Sequence, residues 1–418
     1  MSFVMLFTML LCFALTISVA VSIGLSAIVG IQLANAHMLI SVKEMFNSIN
    51  KFPLAAIPFF ILAGNLMETG GISRRLIEFS KSIVGSVQGG LPMTCVLTCM
   101  IFAAVSGSSV ATTFAIGAIL IPALIKHGYP RTWATALQAT SAELGVIIPP
   151  SIPMILFGVS AEVSIGEMFV AGVGPGLLIG FALMLFVWLY SKYKGWGKND
   201  GDGRLSFGKA SLQAGWALLM PVIVLGGIYG GVFTPTEAAA VAVFYSFIIG
   251  TLIYREIGFK DLYNILHKSV ISSAVIMFII ANAGLFAFLI TRAGVPAAIG
   301  QWLEQVLQSP IYFLLGINIA LFIIGMFIET GAAIIVLAPI LVPVAIHFGM
   351  VMVVNLALGM VTPPFGVNLF AACTVAKISL DRVVKDLIPF IGVILACLML
   401  ISYVPEISLT LRDLVYNK

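Results

Sequence analysis

Two copies of one pattern decide the fold of this chain, Gly145-Val146-Ile147-Ile148-Pro149-Pro150 and Gly359-Met360-Val361-Thr362-Pro363-Pro364. Each copy breaks a helix, because proline lacks a backbone N–H donor and disfavours helical geometry in the preceding residue. A break leaves backbone carbonyls unpaired, and hydrocarbon tolerates these only where protein, water or an ion satisfies them. A matched pair of breaks is typical of the central site of a secondary transporter.

The composition indicates a polytopic membrane protein with an all-α fold. Of 418 residues, 61% are hydrophobic and 9% are charged, and the mean hydropathy is +1.14. Because one membrane span takes about 20 apolar residues, roughly ten or more embedded segments fit the chain. The apolar run at residues 3–31 predicts a retained first helix, since no basic segment of a removed signal peptide precedes it.

Each break belongs to a longer repeat. A proline-ended apolar stretch precedes each copy, at Pro122 and at Pro343, and residues 66–72 align with residues 289–295. We therefore predict a first repeat over residues 1–190, a polar connector over 191–213 and a second repeat over 214–418. The repeats are expected to be inverted, with a scaffold arm, a re-entrant hairpin and an interrupted helix in each.

The hairpins and interrupted helices have predicted boundaries. The first hairpin covers residues 94–122 and the first interrupted helix residues 133–160; the second pair covers 311–343 and 350–376. The first hairpin has two apolar arms of about 12 residues, each too short to span a bilayer alone. Its tip is therefore expected near the midplane, beside the break. The offset between halves falls from 221 to 214 positions after the second hairpin, which predicts either a short loop around residues 346–350 or residues there that this numbering lacks.

Each tip and break together offer hydroxyl and carbonyl oxygens, the ligands that a hard cation prefers. The residues of the first predicted cluster are Ser106, Ser108, Gly145, Ile148 and Pro150. The residues of the second predicted cluster are Gly325, Thr330, Gly359, Thr362 and Pro364. Neither cluster supplies a soft ligand, so a transition metal is not expected. The alternative is that small residues at these positions only allow close helix packing.

Short helices whose N-termini are aimed at the same region favour an anionic substrate there, because a helix N-terminus attracts negative charge. The candidate substrate residues are Asn65, Ser109, Glu329 and Asn368. Asn65 and Asn368 are uncharged polar residues in apolar runs. Each of them is expected either to contact the substrate or to form hydrogen bonds between helices.

Charged residues leave several interpretations open. Glu143 and Glu329 serve either the site or the structure, since an ionisable group in a membrane segment is a functional candidate by default. Arg131 and Arg292 either anchor a carboxylate or lie at the membrane interface. By contrast, Thr234 to Glu237 and Ser164 to Glu167 have the spacing of capping boxes, which predicts helix starts.

Other function classes find little support. The five cysteines lie in apolar surroundings, which argues against disulfides and metal sites. No phosphate loop, His-Glu-x-x-His or Gly-x-Ser-x-Gly motif occurs, so ATP hydrolysis and enzyme activity are not expected. An intramembrane hydrolase using Ser106 or Ser108 would lack a paired base. The basic connector predicts a cytoplasmic loop rather than a nucleic-acid surface, and a passive channel stays open as an alternative.

Four stretches together resemble the large membrane subunit of tripartite ATP-independent periplasmic (TRAP) transporters: residues 102–112, 145–153, 233–240 and 355–366. The likeness covers nearly the whole chain and is closest to the sialic-acid members. It implies sodium-driven uptake of an organic acid, with sialic acid as substrate and a C4-dicarboxylate or another sugar acid as the alternative. The two oxygen clusters would be the sodium sites.

The resemblance also implies partners and a mechanism. A periplasmic binding protein would deliver the substrate, and a separate small membrane subunit is expected because the chain begins at its own first helix. The hairpins and broken helices would move as an elevator against a scaffold, within the lipid of a bacterial inner membrane.

Overall fold

A computed structural model describes residues 1–198, 200, 204–295, 298, 310–339, 341 and 346–416. Within these ranges the regular structure is helical and no strand occurs, so the all-α prediction is confirmed. The end of the predicted second hairpin, including Val342 and Pro343, lies outside the described residues.

The helices are numbered in chain order. A 3₁₀ turn at Phe52–Ala55 precedes the fourth, and a π-helical turn at Ile249–Ile253 follows the thirteenth. The α-helices are α1 Ser2–Ala14, α2 Val19–Leu33, α3 Leu39–Ile49, α4 Ala56–Thr69, α5 Ile72–Val84, α6 Gly90–Ser106, α7 Ser109–Lys126, α8 Arg131–Ala142, α9 Leu144–Ile147, α10 Ile152–Ser160, α11 Ile165–Lys194, α12 Phe207–Tyr229, α13 Pro235–Ile248, α14 Phe259–Arg292, α15 Pro310–Gly325, α16 Thr330–Leu337, α17 Ile346–Met360, α18 Val367–Ala376, α19 Leu380–Tyr403 and α20 Glu406–Tyr416.

Seven helical segments among the described residues are long and apolar enough to cross a membrane. They are Phe52–Thr69, Ser109–Lys126, Ile165–Lys194, Phe207–Tyr229, Pro235–Ile253, Phe259–Arg292 and Leu380–Tyr403. An eighth span forms if the pair Arg131–Ile147 and Ile152–Ser160, bent by 42°, counts as one. Shorter apolar helices lie beside them, as the prediction of a polytopic protein requires.

The N-terminal apolar run forms two helices, α1 and α2, so the prediction of one helix over residues 3–31 was wrong. Residues 15–18 form a turn between α1 and α2, and Thr16 has a positive φ of 59°. The helices lie close together because α2 presents small residues: the Ser26 hydroxyl donates to the Met5 carbonyl at 2.5 Å.

The connector is shorter than predicted, because helices occupy both ends of residues 191–213. Helix α11 continues to Lys194, and α12 begins at Phe207. Lys192 and Lys194 lie in the last turn of α11. The Lys192 ammonium lies over the Trp188 ring, and the Lys194 ammonium lies over the Tyr190 ring. Basic residues are favourable at a helix C-terminus, so polar sequence alone did not mark the helix end.

One connector residue is anchored to the first hairpin. Asp200 is 1% exposed and accepts hydrogen bonds from the Leu91 N–H at 3.0 Å and the Tyr129 hydroxyl at 2.7 Å. Burial and the bond to Asp200 raise the pKa of Tyr129 above its usual range, so this phenol stays a donor at neutral pH. Asp200 of the connector therefore holds the N-terminal end of α6 in place.

The repeat is visible in the order of the elements. The order hairpin, broken helix, long helix occurs as α6–α7, α8–α10 and α11, and again as α15–α16, α17–α18 and α19. The aligned residues Gly71 and Gly294 both have a φ of +71°, a conformation that only glycine adopts without strain.

Two boundary predictions need correction. The arms of the first hairpin have 17 and 18 residues rather than about 12, because polar residues at the arm ends bond within their own helix, as the Thr94 hydroxyl does to Gly90. The second arm, Ser109–Lys126, is long and apolar enough to cross a membrane, so the prediction that each arm is too short to span was wrong for this arm. Residues 346–350 open helix α17 rather than forming a loop, since Ile346, Phe348 and Met350 are buried.

Candidate functional site

The first tip–break unit consists of the α6–α7 tip and residues 148–151 between α9 and α10. The Ile152 N–H donates to the Gly107 carbonyl of the tip at 3.3 Å. A Cβ atom on Gly145 would lie 2.7 Å from the Ser108 carbonyl oxygen, so only glycine permits this approach. Since Ile152 lies inside the broken element, the tip ends beside its middle, as predicted for a re-entrant hairpin.

Hydroxyl groups surround the first tip. The Ser106 and Thr112 hydroxyl oxygens are 3.0 Å apart, and the Thr112 hydroxyl donates to the Ser108 carbonyl at 2.8 Å. The Ser108 hydroxyl caps α7 by accepting from the Ala111 N–H at 3.4 Å. Sequence reasoning missed Thr112, although residues four apart share a helix face and its spacing from Ser108 was readable.

The second tip–break unit repeats this contact. It consists of residues 326–329, between α15 and α16, and residues 361–366, between α17 and α18. The Gly366 N–H donates to the Met326 carbonyl of the tip at 3.4 Å. A Cβ atom on Gly359 would lie 2.4 Å from the Gly325 carbonyl carbon. The predicted pairing of each tip with its own break is therefore present in both halves.

The threonine hydroxyls of the second unit have protein partners. The Thr330 hydroxyl lies 2.8 Å from the Met360 sulfur, and the Thr362 hydroxyl donates to the Leu358 carbonyl at 2.8 Å. Both side chains are buried. The break supplies carbonyls and a hydroxyl on one short stretch, a donor set that suits a hard cation.

Three of the four candidate substrate residues lie near one another. Ser109 and Asn368 lie beside the Glu143 carboxylate, and Glu329 is close enough to act on its charge. Asn368 joins the halves, because its amide donates to the Ala139 carbonyl at 2.9 Å and its oxygen accepts from Thr113 at 2.6 Å.

Glu329, one of these three, and Asn65, the fourth candidate, have structural contacts. Glu329 caps α16 by accepting from the Ala332 N–H at 3.1 Å. Asn65 lies apart and donates to the Ser269 hydroxyl at 2.8 Å, which makes it a bridge between α4 and α14. Asn65 thus follows the second of its two interpretations, the contact between helices.

Glu143 is the least compensated charge of this region. It is 2% exposed, and neither carboxylate oxygen has a hydrogen-bond partner of good geometry among the described residues. An ionised carboxylate buried in this way is costly unless a positive charge or donor compensates it. Because Ser109 adjoins the first tip and Glu329 belongs to the second, the Glu143 carboxylate lies beside both tip–break units, which favours the first of its two interpretations, a role in the site.

Other singled-out residues lie outside the site. The Thr234 N–H donates to the Glu237 carboxylate at 2.8 Å, and the Ser164 hydroxyl accepts from the Glu167 N–H, so both predicted helix starts are confirmed, the first with a full capping box and the second with the N-cap bond. Arg131 and Arg292 are the first and last residues of their helices. All five cysteines are buried and unbridged, and the described residues contain no group of three or more His, Cys, Asp or Glu side chains that could hold a metal ion.

Comparison with known protein families shows to which family the chain belongs. Residues 4–407 match the family model for the tripartite ATP-independent periplasmic transporter, DctM component. The chain belongs to the DctM family. Its members are membrane permeases, which agrees with the helical spans and with the expectation that the chain is not an enzyme.

Several DctM relatives are closely similar. The isethionate TRAP transporter permease DctMQ of Oleidesulfovibrio alaskensis is 44% identical over 94% of this chain, which spans only 63% of that longer protein. The C4-dicarboxylate TRAP large permease of Pseudomonas aeruginosa is 41% identical over 94% of each chain. The 2,3-diketo-L-gulonate large permease YiaN of Escherichia coli is 36% identical over 88% of each.

Solved structures share the fold at low identity. The YdaH transporter of Alcanivorax borkumensis aligns with a TM-score of 0.63 and 13% identity, over 89% of this chain and 88% of that one. The MtrF efflux pump of Neisseria gonorrhoeae aligns at 0.57 and 15%, over 86% and 83%. The DctM chain is thus a multi-pass protein of the bacterial inner membrane with a transporter fold.

Proposed function

We propose that this chain is the large, substrate-conducting subunit of a sodium-coupled importer of a small organic acid. The word tripartite in the family description supports two partners, a small membrane subunit and a periplasmic binding protein that delivers the acid. No ATP is required in this proposal, because an ion gradient supplies the energy.

The uncompensated Glu143 carboxylate carries the proposal of cation coupling. It lies between two units that gather hydroxyl and carbonyl oxygens at helix breaks, and a bound cation would offset its charge. Oxygen donors select hard cations, and Mg²⁺ dehydrates too reluctantly to suit a site built from neutral backbone oxygens. We propose that this cation is sodium and that it is held at the ten cluster residues named above.

Elevator movement is supported by the packing of two bodies. Helix α14 packs on α2, α3 and α4, and α4 packs on α13, which together form the proposed scaffold. Helix α18 of the second half packs on α7 and α8 of the first, so both tip–break units belong to one body. Direct backbone contacts within each unit favour movement of this body as a whole.

The names of the relatives favour other organic acids over the sialic acid expected first. Isethionate, C4-dicarboxylates and 2,3-diketo-L-gulonate are named for the three permeases above. Sialic acid stays a prediction for this chain. The alternative already kept open, a C4-dicarboxylate or another sugar acid, fits these relatives better.

Uptake into proteoliposomes tests the proposal. The vesicles would contain this chain with its small subunit, and radiolabelled isethionate, succinate, diketogulonate or sialic acid would be offered with the purified binding protein. We expect uptake of at least one acid only with both an inward sodium gradient and the binding protein. Uptake that is equal in choline would contradict sodium coupling, and flux without the binding protein would indicate a channel.

A further inference from the structure

A cavity of about 250 Å³ lies where the proposed scaffold meets the proposed moving body. The scaffold contributes Glu44, Asn47 and Lys51 from α3 and the turn that follows it. The moving body contributes Ser160 of α10 and Ile335 of α16. An occupant of this cavity would therefore contact both bodies, which a transported substrate has to do.

Lys51 provides the positive charge of the cavity. Its ammonium donates to the Val159 carbonyl at 3.4 Å, which aims the side chain across the gap toward α10. Lys51 is absent from the ion pairs formed among the described residues. An ammonium has three N–H donors, so this contact leaves donors for an anion.

Glu44 provides the negative charge of the same cavity, and it too is absent from those ion pairs. With one cation and one anion among its lining residues, the cavity has no net formal charge. A monoanion can pair with Lys51 while its hydroxyl donates to the Glu44 carboxylate. A dianion would bring a second negative charge toward Glu44, and such a like-charge contact is a means of rejecting a ligand.

The volume limits the size of the ligand. Sites for drug-sized molecules measure roughly 300–1,000 Å³, and this cavity lies below that range. An acid of a few carbon atoms fits better than a nine-carbon sugar acid. Asn47 and Ser160 offer further polar contacts for such a ligand.

We propose that this cavity is a substrate subsite for a small hydroxylated monoanion, in which Lys51 pairs with the carboxylate or sulfonate and Glu44 accepts the hydrogen bond of the hydroxyl. The inference rests on the proposed import function, because it assigns the substrate class of that same transporter.

Binding of three acids to the purified chain tests the subsite without requiring transport. The probes are isethionate, ethanesulfonate, which lacks the hydroxyl, and succinate, a dianion, each titrated by calorimetry at fixed sodium. We expect isethionate to bind more tightly than either of the others. Equal affinities for all three would overturn the assignment of a hydroxylated monoanion.

Variants of the two charges sharpen the test. Lys51→Gln is expected to weaken isethionate binding by about 10-fold or more, as loss of a charged hydrogen bond does, and Lys51→Arg to restore part of it. Glu44→Gln should narrow the preference for isethionate over succinate. The matched control is Lys43→Gln, because Lys43 is exposed on α3 and does not line the cavity.

The outcomes separate this inference from the proposed function. If the wild-type chain imports an acid with sodium but Lys51→Gln and Glu44→Gln behave like Lys43→Gln, the subsite is wrong and the transporter stands. If wild-type vesicles show no uptake while the purified chain binds isethionate through Lys51, the anion site stands, but the import function fails and with it the role of this site in transport. Unchanged sodium affinity in Lys51→Gln would show that the variant is folded.

Discussion

The first tip–break unit is enclosed, whereas the second opens to the surface, although one sequence pattern builds both. Pro150 and Ser151 are buried, while Phe365 is 61% exposed and lies 5.7 Å from the Phe327 ring of its tip. In both units the second residue after the Pro-Pro pair, Ile152 or Gly366, donates its N–H to a tip carbonyl. The pattern thus sets the contact of tip and break, and the surrounding helices set access.

This difference has a consequence for the order of binding. On the proposed function, a cation that enters past the exposed Pro364 and Phe365 meets the second unit first. Glu143 is buried beside residues of both halves. We expect the second unit to exchange its ion quickly and the first to hold its ion until the protein rearranges.

The largest effect is expected from glycine substitutions at the tip contacts. In Gly359→Ala the new Cβ would clash with backbone atoms of Gly325, which cannot turn away, so we expect loss of folded protein and of uptake. Gly145→Ala should be milder, because its nearest backbone neighbour, the Ser108 carbonyl oxygen, lies 2.7 Å from the new Cβ rather than 2.4 Å as in Gly359→Ala. Yield on size exclusion and uptake would measure both.

The control for these variants is Gly392→Ala in α19. A Cβ atom there meets nothing within 4 Å, and alanine is favoured over glycine in a helix by roughly 1 kcal/mol. If Gly359→Ala were as stable and active as Gly392→Ala, the close approach of tip and break would be wrong.

A smaller effect is expected when the charge of Glu143 is removed. Glu143→Gln keeps the shape but not the attraction for a cation, so the sodium concentration for half-maximal uptake should rise by about 10-fold. Glu237→Gln is the matched control, since a capping box accepts glutamine as well as glutamate. Equal sodium dependence in both variants would remove Glu143 from the site.

The smallest effect concerns access alone. Cysteines introduced as Phe365→Cys and Ser151→Cys should differ in their rate of labelling by a small maleimide, fast at the exposed position and slow at the buried one. The native cysteines are all buried and give a low background. Similar labelling rates at the two positions would contradict the comparison of an open and an enclosed unit.

The sequence predicted the parts of the fold that local chemistry controls. Breaks at Pro149 and Pro363, glycines at the close contacts and the caps at Thr234 and Ser164 follow from backbone chemistry, and the structure contains them. The hairpin arms were predicted too short, because Thr94 and similar residues satisfy their hydroxyls within the helix.

Other parts depend on contacts between distant segments, which one sequence does not display. In the sequence, Asp200 is only one of several charged residues in the connector. The packing of the chain shows that Asp200 accepts hydrogen bonds from Leu91 and Tyr129. The place of Glu143 beside Asn368 depends on how the two halves meet. The sequence did not mark Lys51 and Glu44 as candidate binding residues, because the cavity that they line forms only where the two bodies meet.

Sodium binding by hydroxyl variants tests the central claim, one cation at each tip–break unit. Calorimetric titration with NaCl at constant ionic strength would compare the wild type with Ser108→Ala, Thr362→Ala and the double variant, and Thr362→Ser would serve as the control that keeps the hydroxyl. We predict that each alanine weakens sodium binding by about 10-fold and that the double variant shows no saturable binding. Four indistinguishable isotherms for the wild type and the alanine variants would contradict the account.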